Sequence, residues 1–233
     1  MSTNPALLTV SQRMGSIKPL VQLVRDHEAS ELAQFEALLS LTNLASTGDE
    51  TRSRIVAERG ISVLGHAMFS DHPMVRTAAT EAMSNLVPNP EVMSHLSNPD
   101  KLKLWVAFAS DFEENFECAR AAAGCLAMAT GCSTAISSAL TEQKNFRNLV
   151  RSLLECGNLE LMHRVLVVLL NMSDHGDKCR EAVVSTGVVK FCQGYVESFH
   201  DGTSGEKLGL GEADMALMST TVNLAMNVVT TFG

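Results

Sequence analysis

Asparagine recurs at Asn43, Asn85 and Asn171, each time inside an apolar run. A primary amide donates and accepts at once, so a row of them can pair with the main chain of an extended peptide whatever its sequence. From Asn43 to Asn85 is 42 residues, and 43 more lead to Met128, where the amide is missing. A further 43 lead to Asn171, and Asn227 fills the last position if a longer step of 56 is allowed. Residues four apart share a helix face, so Leu39, Glu81, Gly124, Val167 and Asn223 flank the amide row, with Leu39 and Val167 read as core. The candidate partner-binding residues are therefore Asn43, Glu81, Asn85, Asn171, Asn223 and Asn227. Each amide has a structural alternative, a bond to a neighbouring helix end or turn.

No other constellation points to chemistry. The seven histidines are scattered, without the His-Glu-x-x-His spacing of a zinc site. None of the six cysteines forms a Cys-x-x-Cys pair; Cys118, Cys125 and Cys132, seven apart, read with the rest as inert buried thiols. Gly205 to Gly211 lacks the spacing of a phosphate loop, and Gly202-Thr-Ser-Gly205 lacks the strand-turn-helix setting of a nucleophile elbow. No catalytic residue, metal site or cofactor is expected. A net charge of -8 argues against nucleic acid, whose phosphates need lysine and arginine, and against an anionic membrane surface. No uninterrupted apolar run reaches the roughly 18 residues of a membrane span, and the first residues lack a basic region followed by an apolar signal core. The expected location is cytoplasmic.

Asn43, Asn85 and Asn171, and Met128 in their place, sit in four similar segments, Ala37 to Leu44, Ala79 to Leu86, Val165 to Met172 and, for Met128, Ala122 to Ala129. A recurrence of about 40–47 residues marks armadillo or HEAT repeats. In each unit a short helix, a second short helix and a long third one follow in order, and three helices favour armadillo over HEAT. The expected fold is all-α, a right-handed superhelical solenoid of about five three-helix repeats, residues 4–46, 47–88, 89–130, 131–173 and 174–233. Aromatics make up only 5% of the chain, so Ala, Leu, Val and Met must carry the core.

In the first repeat the helices span 5–14, 17–25 and 31–45; in the second, 49–59, 61–69 and 75–87. The third has 90–96, 101–110 and 114–130, the fourth 133–142, 145–155 and 159–173, and the fifth 178–185, 188–199 and 212–231. Gly15, Gly60 and Gly187 are taken as helix stops, and the Gly-rich stretch 200–211 as a mobile loop. Arg76, Arg120 and Arg164, near the starts of third helices, need carboxylates against the helix dipole, with Asp111, Glu113, Glu114 and Glu155 as candidates. A stack of repeats leaves its end helices uncovered, so Leu7, Leu8, Val10, Val222, Met226 and Val229 are candidates for exposure or self-association.

Phe35 to Ala45, Arg76 to Leu86, Arg120 to Met128 and His163 to Met172, with Pro19-Leu-Val-Gln-Leu23 before them, closely resemble the UCS-domain myosin chaperones. The likeness runs from about Ile17 to Met172. It implies an armadillo fold whose third helices line a concave groove, and a role in holding the myosin motor domain during folding and assembly. A generic armadillo adaptor without chaperone activity is the competing reading. Animal members of the family also carry a tetratricopeptide module that recruits Hsp90. No such pattern occurs here, so Hsp90 is expected only through regions absent from this chain, which reads as a fragment or a shortened relative.

Overall fold

The computed structural model describes residues 5–200 and 211–233, except the side chains of 199 and 200. Among the described residues there is no strand. A 3-10 turn at Pro5–Leu7 precedes fourteen helices: α1 (Val10–Arg25), α2 (Glu31–Ala45), α3 (Asp49–Ala57), α4 (Gly60–Ala67), α5 (Pro73–Asn85), α6 (Pro90–Leu96), α7 (Pro99–Ser110), α8 (Phe116–Cys132), α9 (Thr134–Thr141), α10 (Phe146–Glu155), α11 (Leu159–Ser173), α12 (Asp177–Val184), α13 (Val188–His200) and α14 (Glu212–Phe232). The protein is all-α and of the armadillo type. Two compact units emerge, Met1–Asn98 with Asp111–Cys125, and Pro99–Ser110 with Leu126–Gly233.

Capping side chains set five of the helix starts among the described residues. The side chains of Ser30, Asn89, Ser133 and Asn158 each accept a backbone N–H from the first turn of the helix that follows, offsetting donors that the helix leaves unpaired. Thr9 and Gln12 form a reciprocal capping box at α1. Pro73, Pro90 and Pro99 stand first in their helices, where the missing N–H costs nothing.

The three supposed stop glycines behave differently from one another. Gly15 stops nothing: α1 runs through it and through Pro19, so the first repeat lacks a separate short helix over 5–14. Pro19 withholds one hydrogen bond from the Gly15 carbonyl, but both residues are exposed and water can take its place. Gly60 opens α4 rather than ending α3, and the left-handed residue at that corner is Arg59, with φ 68°. Gly187 does adopt the left-handed conformation, with φ 83°. An ideal Cβ at Gly15 meets nothing within 4 Å. Gly15→Ala should therefore raise stability by about 0.5–1 kcal/mol through helix propensity alone, read as a higher urea midpoint with an unchanged slope.

In the first unit α5 lies along α2, and α1 packs on α2, α3 and α4. Ile17, Leu38, Leu41, Ile55, Leu64, Met83 and Leu86 are fully buried there, each contributing about 1.5–3 kcal/mol by leaving water. In the second unit α11 is central, touching α10, α12 and α14, and α13 packs on α14. Leu161, Val165, Leu166, Leu169 and Met172 of α11 are buried.

Cys118, Cys125, Cys179 and Cys192 are buried and Cys156 half-buried, whereas Cys132, the last residue of α8, is exposed and departs from the buried-thiol expectation. Burial pushes the thiols of Cys118 and Cys125 up, and that of Cys192 up to about 12, so they carry no thiolate at neutral pH. Leu7, Val10 and Met226 are exposed as expected of end residues; Leu8, Val222 and Val229 are half-buried. By length and composition α14 could cross a membrane; here it packs through Thr221, Ala225 and Val228. The expected loop over 200–211 falls almost wholly outside the described residues; His200 closes α13 and Gly211 caps α14.

Candidate partner-binding surface

The amides of Asn85 and Asn171 are turned toward the preceding long helix. Asn85 Nδ2 on α5 donates to the Thr42 carbonyl of α2 at 3.1 Å. In the second unit Asn171 Nδ2 on α11 donates to the Ala127 carbonyl of α8 at 2.9 Å and lies 3.3 Å from Thr130 Oγ1. Thr42 and Ala127 occupy matching places, one residue before Asn43 and Met128. The neighbouring-helix bond, weighed in sequence as the alternative, is thus the one both residues make. A carbonyl oxygen can accept more than one hydrogen bond: Thr42 also takes the Ser46 N–H at 3.3 Å and Ala127 the Thr130 hydroxyl at 3.1 Å, and the amide reaching across adds a further donor. Gly131 makes room for it: a Cβ there would stand 3.2 Å from Asn171 Nδ2.

Asn85→Ala removes one of two donors from the half-buried Thr42 carbonyl, which keeps the Ser46 N–H at 3.3 Å. The expected cost is about 1 kcal/mol, read as a lower melting temperature.

Asn43 is half-buried and hydrogen-bonded. Asn223 and Asn227 are exposed on α14. Among the described residues Asn227 makes no bond like that of Asn171, so neither its spacing nor its contacts match the other amides.

Glu81 does not stand alone. Its Oε1 lies 3.3 Å from Arg120 Nη2, which also meets Glu117 Oε2 at 2.7 Å. Arg76 donates to Asn115 Oδ1 at 2.7 Å and to the Ser70 carbonyl at 2.9 Å. The inter-helix role expected for these arginines is present in Arg120, through Glu81, and in Arg76, through Asn115; Glu117 pairs with Arg120 within α8. Arg120 and Glu81 are each about a third exposed, at 30% and 32%, so solvent screening holds their pairing to a modest contribution.

A second repeat motif went unread in the sequence. Gly48-Asp-Glu-Thr-Arg52 and Gly176-Asp-Lys-Cys-Arg180 share their pattern and follow Asn43 and Asn171 at the same distance. Gly176 needs its left-handed φ of 92° to start α12. Each arginine reaches back to the end of the preceding long helix: Arg52 Nη1 to the Ala45 carbonyl at 2.9 Å, Arg180 Nη1 to the Ser173 carbonyl at 3.4 Å. Arg180 Nη2 goes on to the Thr231 carbonyl at 2.7 Å, and its guanidinium lies 5.3 Å from the Phe232 ring centroid.

Between α11 and α14, His163 Nδ1 lies 3.3 Å from Thr221 Oγ1. The Thr221 hydroxyl already donates to the Leu217 carbonyl at 2.7 Å, so the imidazole must supply the proton and is the Nδ1–H tautomer. Burial, and secondarily Arg164, lower its pKa below the ordinary 6.5. The unfolded chain then binds the proton more readily than the folded one. This part of the stability is present above the ordinary histidine value and is lost as pH falls through the lowered one. Melting temperature should drop as pH falls below the ordinary histidine value of 6.5, and His163→Gln should flatten that slope.

Within each unit a long helix is joined to the one before it by a side-chain amide, and the all-α fold is of the armadillo type. A designed armadillo repeat protein superimposes with a TM-score of 0.74 at 16% identity, over 94% of this chain and 83% of that one, a likeness of fold alone. No protein-family model matches the sequence. Protein unc-45 homolog B of Danio rerio is 34% identical over 204 residues, 85% of this chain and 21% of the relative. UNC-45 from Drosophila melanogaster superimposes with a TM-score of 0.82 at 25% identity, over 98% of this chain and 27% of that one. The myosin chaperone UNC-45 from C. elegans, solved in complex with an Hsp90 peptide, gives 0.70 at 26% identity, over 92% and 23%. The chain is homologous to UNC-45 homolog B and belongs with the armadillo-type region of the UCS family. It spans about a fifth of the length of the curated relatives it matches.

Proposed function

We propose that this chain is a client-binding module of a cytoplasmic, myosin-directed chaperone, holding the myosin motor domain in a concave groove during folding and assembly. The observation that carries the reading is the 34% identity with protein unc-45 homolog B over 85% of the chain. The C. elegans relative, named as a myosin chaperone, supports it. On this reading each unit offers its own contacts, Asn43 and Glu81 in the first and the exposed amides of Asn223 and Asn227 in the second. Asn85 and Asn171 act indirectly, by fixing the spacing of the long helices.

The test is a thermal-aggregation assay on a purified myosin motor domain, followed by light scattering. The chain added at equal concentration should suppress aggregation, and an Asn223→Ala, Asn227→Ala double variant should protect less while melting at the same temperature. Binding of the native motor without protection on heating would instead make the chain an adaptor. The absence of both binding and protection would overturn the proposal.

A further inference from the structure

In an acidic chain, unpaired cations gathered round one cavity call for an explanation. Arg52, Arg54, Arg120, Arg151 and Lys178 each hold a carboxylate within 3.3 Å. Lys18 and Arg25 on α1, and Arg59 at the α3–α4 corner, hold none among the described residues and are exposed. These three line the same cavity of about 170 Å³ in the first unit, with Val21, Gln22, Ala57 and Glu58 completing its wall. The one acid there, Glu58, is neutralised by Arg54 Nη2 at 2.7 Å. Arg59 is also the only non-glycine residue with positive φ among the described residues, a conformation costing roughly 1–2 kcal/mol, and it lies on this wall.

The geometry points to a phosphoryl-binding site formed by Lys18, Arg25 and Arg59. Three positive charges around one pocket match a dianion better than a single carboxylate. Arginine offers forked donors to tetrahedral oxygens, and lysine adds a point charge. At about 30 Å³ per water, the cavity has room for one phosphoryl group with part of its hydration. Gln22 adds a neutral donor on the same wall. Free phosphate and a phosphorylated side chain of another protein share this chemistry. The site belongs to the first unit alone and is independent of how a client is held.

The test uses the full chain labelled with nitrogen-15, titrated with sodium phosphate and, separately, with sodium chloride at matched ionic strength. Phosphate should move the amide signals of residues 18–25 and 57–60 along saturating curves; chloride should not. Lys18→Ala and Arg25→Ala should each weaken binding, and together by at least about tenfold. Arg59→Gly should weaken binding while raising the melting temperature, because glycine relieves the left-handed backbone, so its loss of binding cannot be ascribed to unfolding. A capped phosphoserine peptide binding more tightly than free phosphate would identify the natural ligand as a modified protein segment; equal binding would identify free phosphate. Equal responses to phosphate and chloride, or shifts spread over Lys103, Lys144, Arg147 and Lys190 as well, would overturn the proposal.

Discussion

Gly60→Ala is expected to destabilise the protein by about 3 kcal/mol, the upper part of the range for overpacking, and to lower its melting temperature by roughly 6–12 °C. An ideal Cβ at Gly60 would lie 2.5 Å from Ile55 Cγ2 and 2.6 Å from the Ile55 carbonyl oxygen. The side chain could shift a little, but Ile55 is 1% exposed and closely packed. The carbonyl is main chain of α3, so relief requires moving α3 against α4. Gly65→Ala is the matched control. It changes the same helix, where an added Cβ meets only Met83 Cε at 4.0 Å, and should be neutral or slightly stabilising. A Gly60→Ala variant no less stable than Gly65→Ala would show that the corner relaxes freely.

The second large effect is expected at Arg180. Arg180→Ala removes two donors, to the carbonyls of Ser173 and Thr231, and a cation over Phe232. Hydrogen bonds from charged groups contribute about 1.5–3 kcal/mol each at most, and an exposed cation–π contact about 0.5–1 kcal/mol. With Arg180 half-buried and one of its bonds long, a loss of about 2–3 kcal/mol is expected. It should be concentrated at the end of α14, where faster amide hydrogen exchange over residues 228–233 would report it. Arg180→Lys should recover little, because an ammonium on one stem cannot hold two divergent carbonyls. Uniform exchange along α14 in the alanine variant would show that the arginine does not anchor that helix.

How far the sequence could be read depended on whether each signal had one physical meaning. The limits of α11, Leu159–Ser173, were legible because Asn158 is a strong cap and the apolar periodicity is unbroken. Alpha2 and α6 were legible for the same reason. Gly15 misled because glycine serves both as a stop and as a tolerated helix residue, and only the packing around it distinguishes them. The amides of Asn85 and Asn171 were located correctly, but the chemistry that would grip a peptide is the same chemistry that bonds a neighbouring carbonyl. Arg52 and Arg180 escaped notice because their motif recurs 128 residues apart and the intervening repeats lack it. Pairing across sequence, as between Glu81 and Arg120, has no local signature at all.

Gly131 and Asn171 carry an implication for descent. Where the first residue is bare, the second can lay its amide across the gap; a methyl group there would stand 3.2 Å from that amide, which would have to give by a few tenths of an ångström. The two positions should therefore drift as a couple in evolution, lineages that acquire a side chain at one shedding the amide at the other, so that an ancestral substitution at either site restricts what the other can later become.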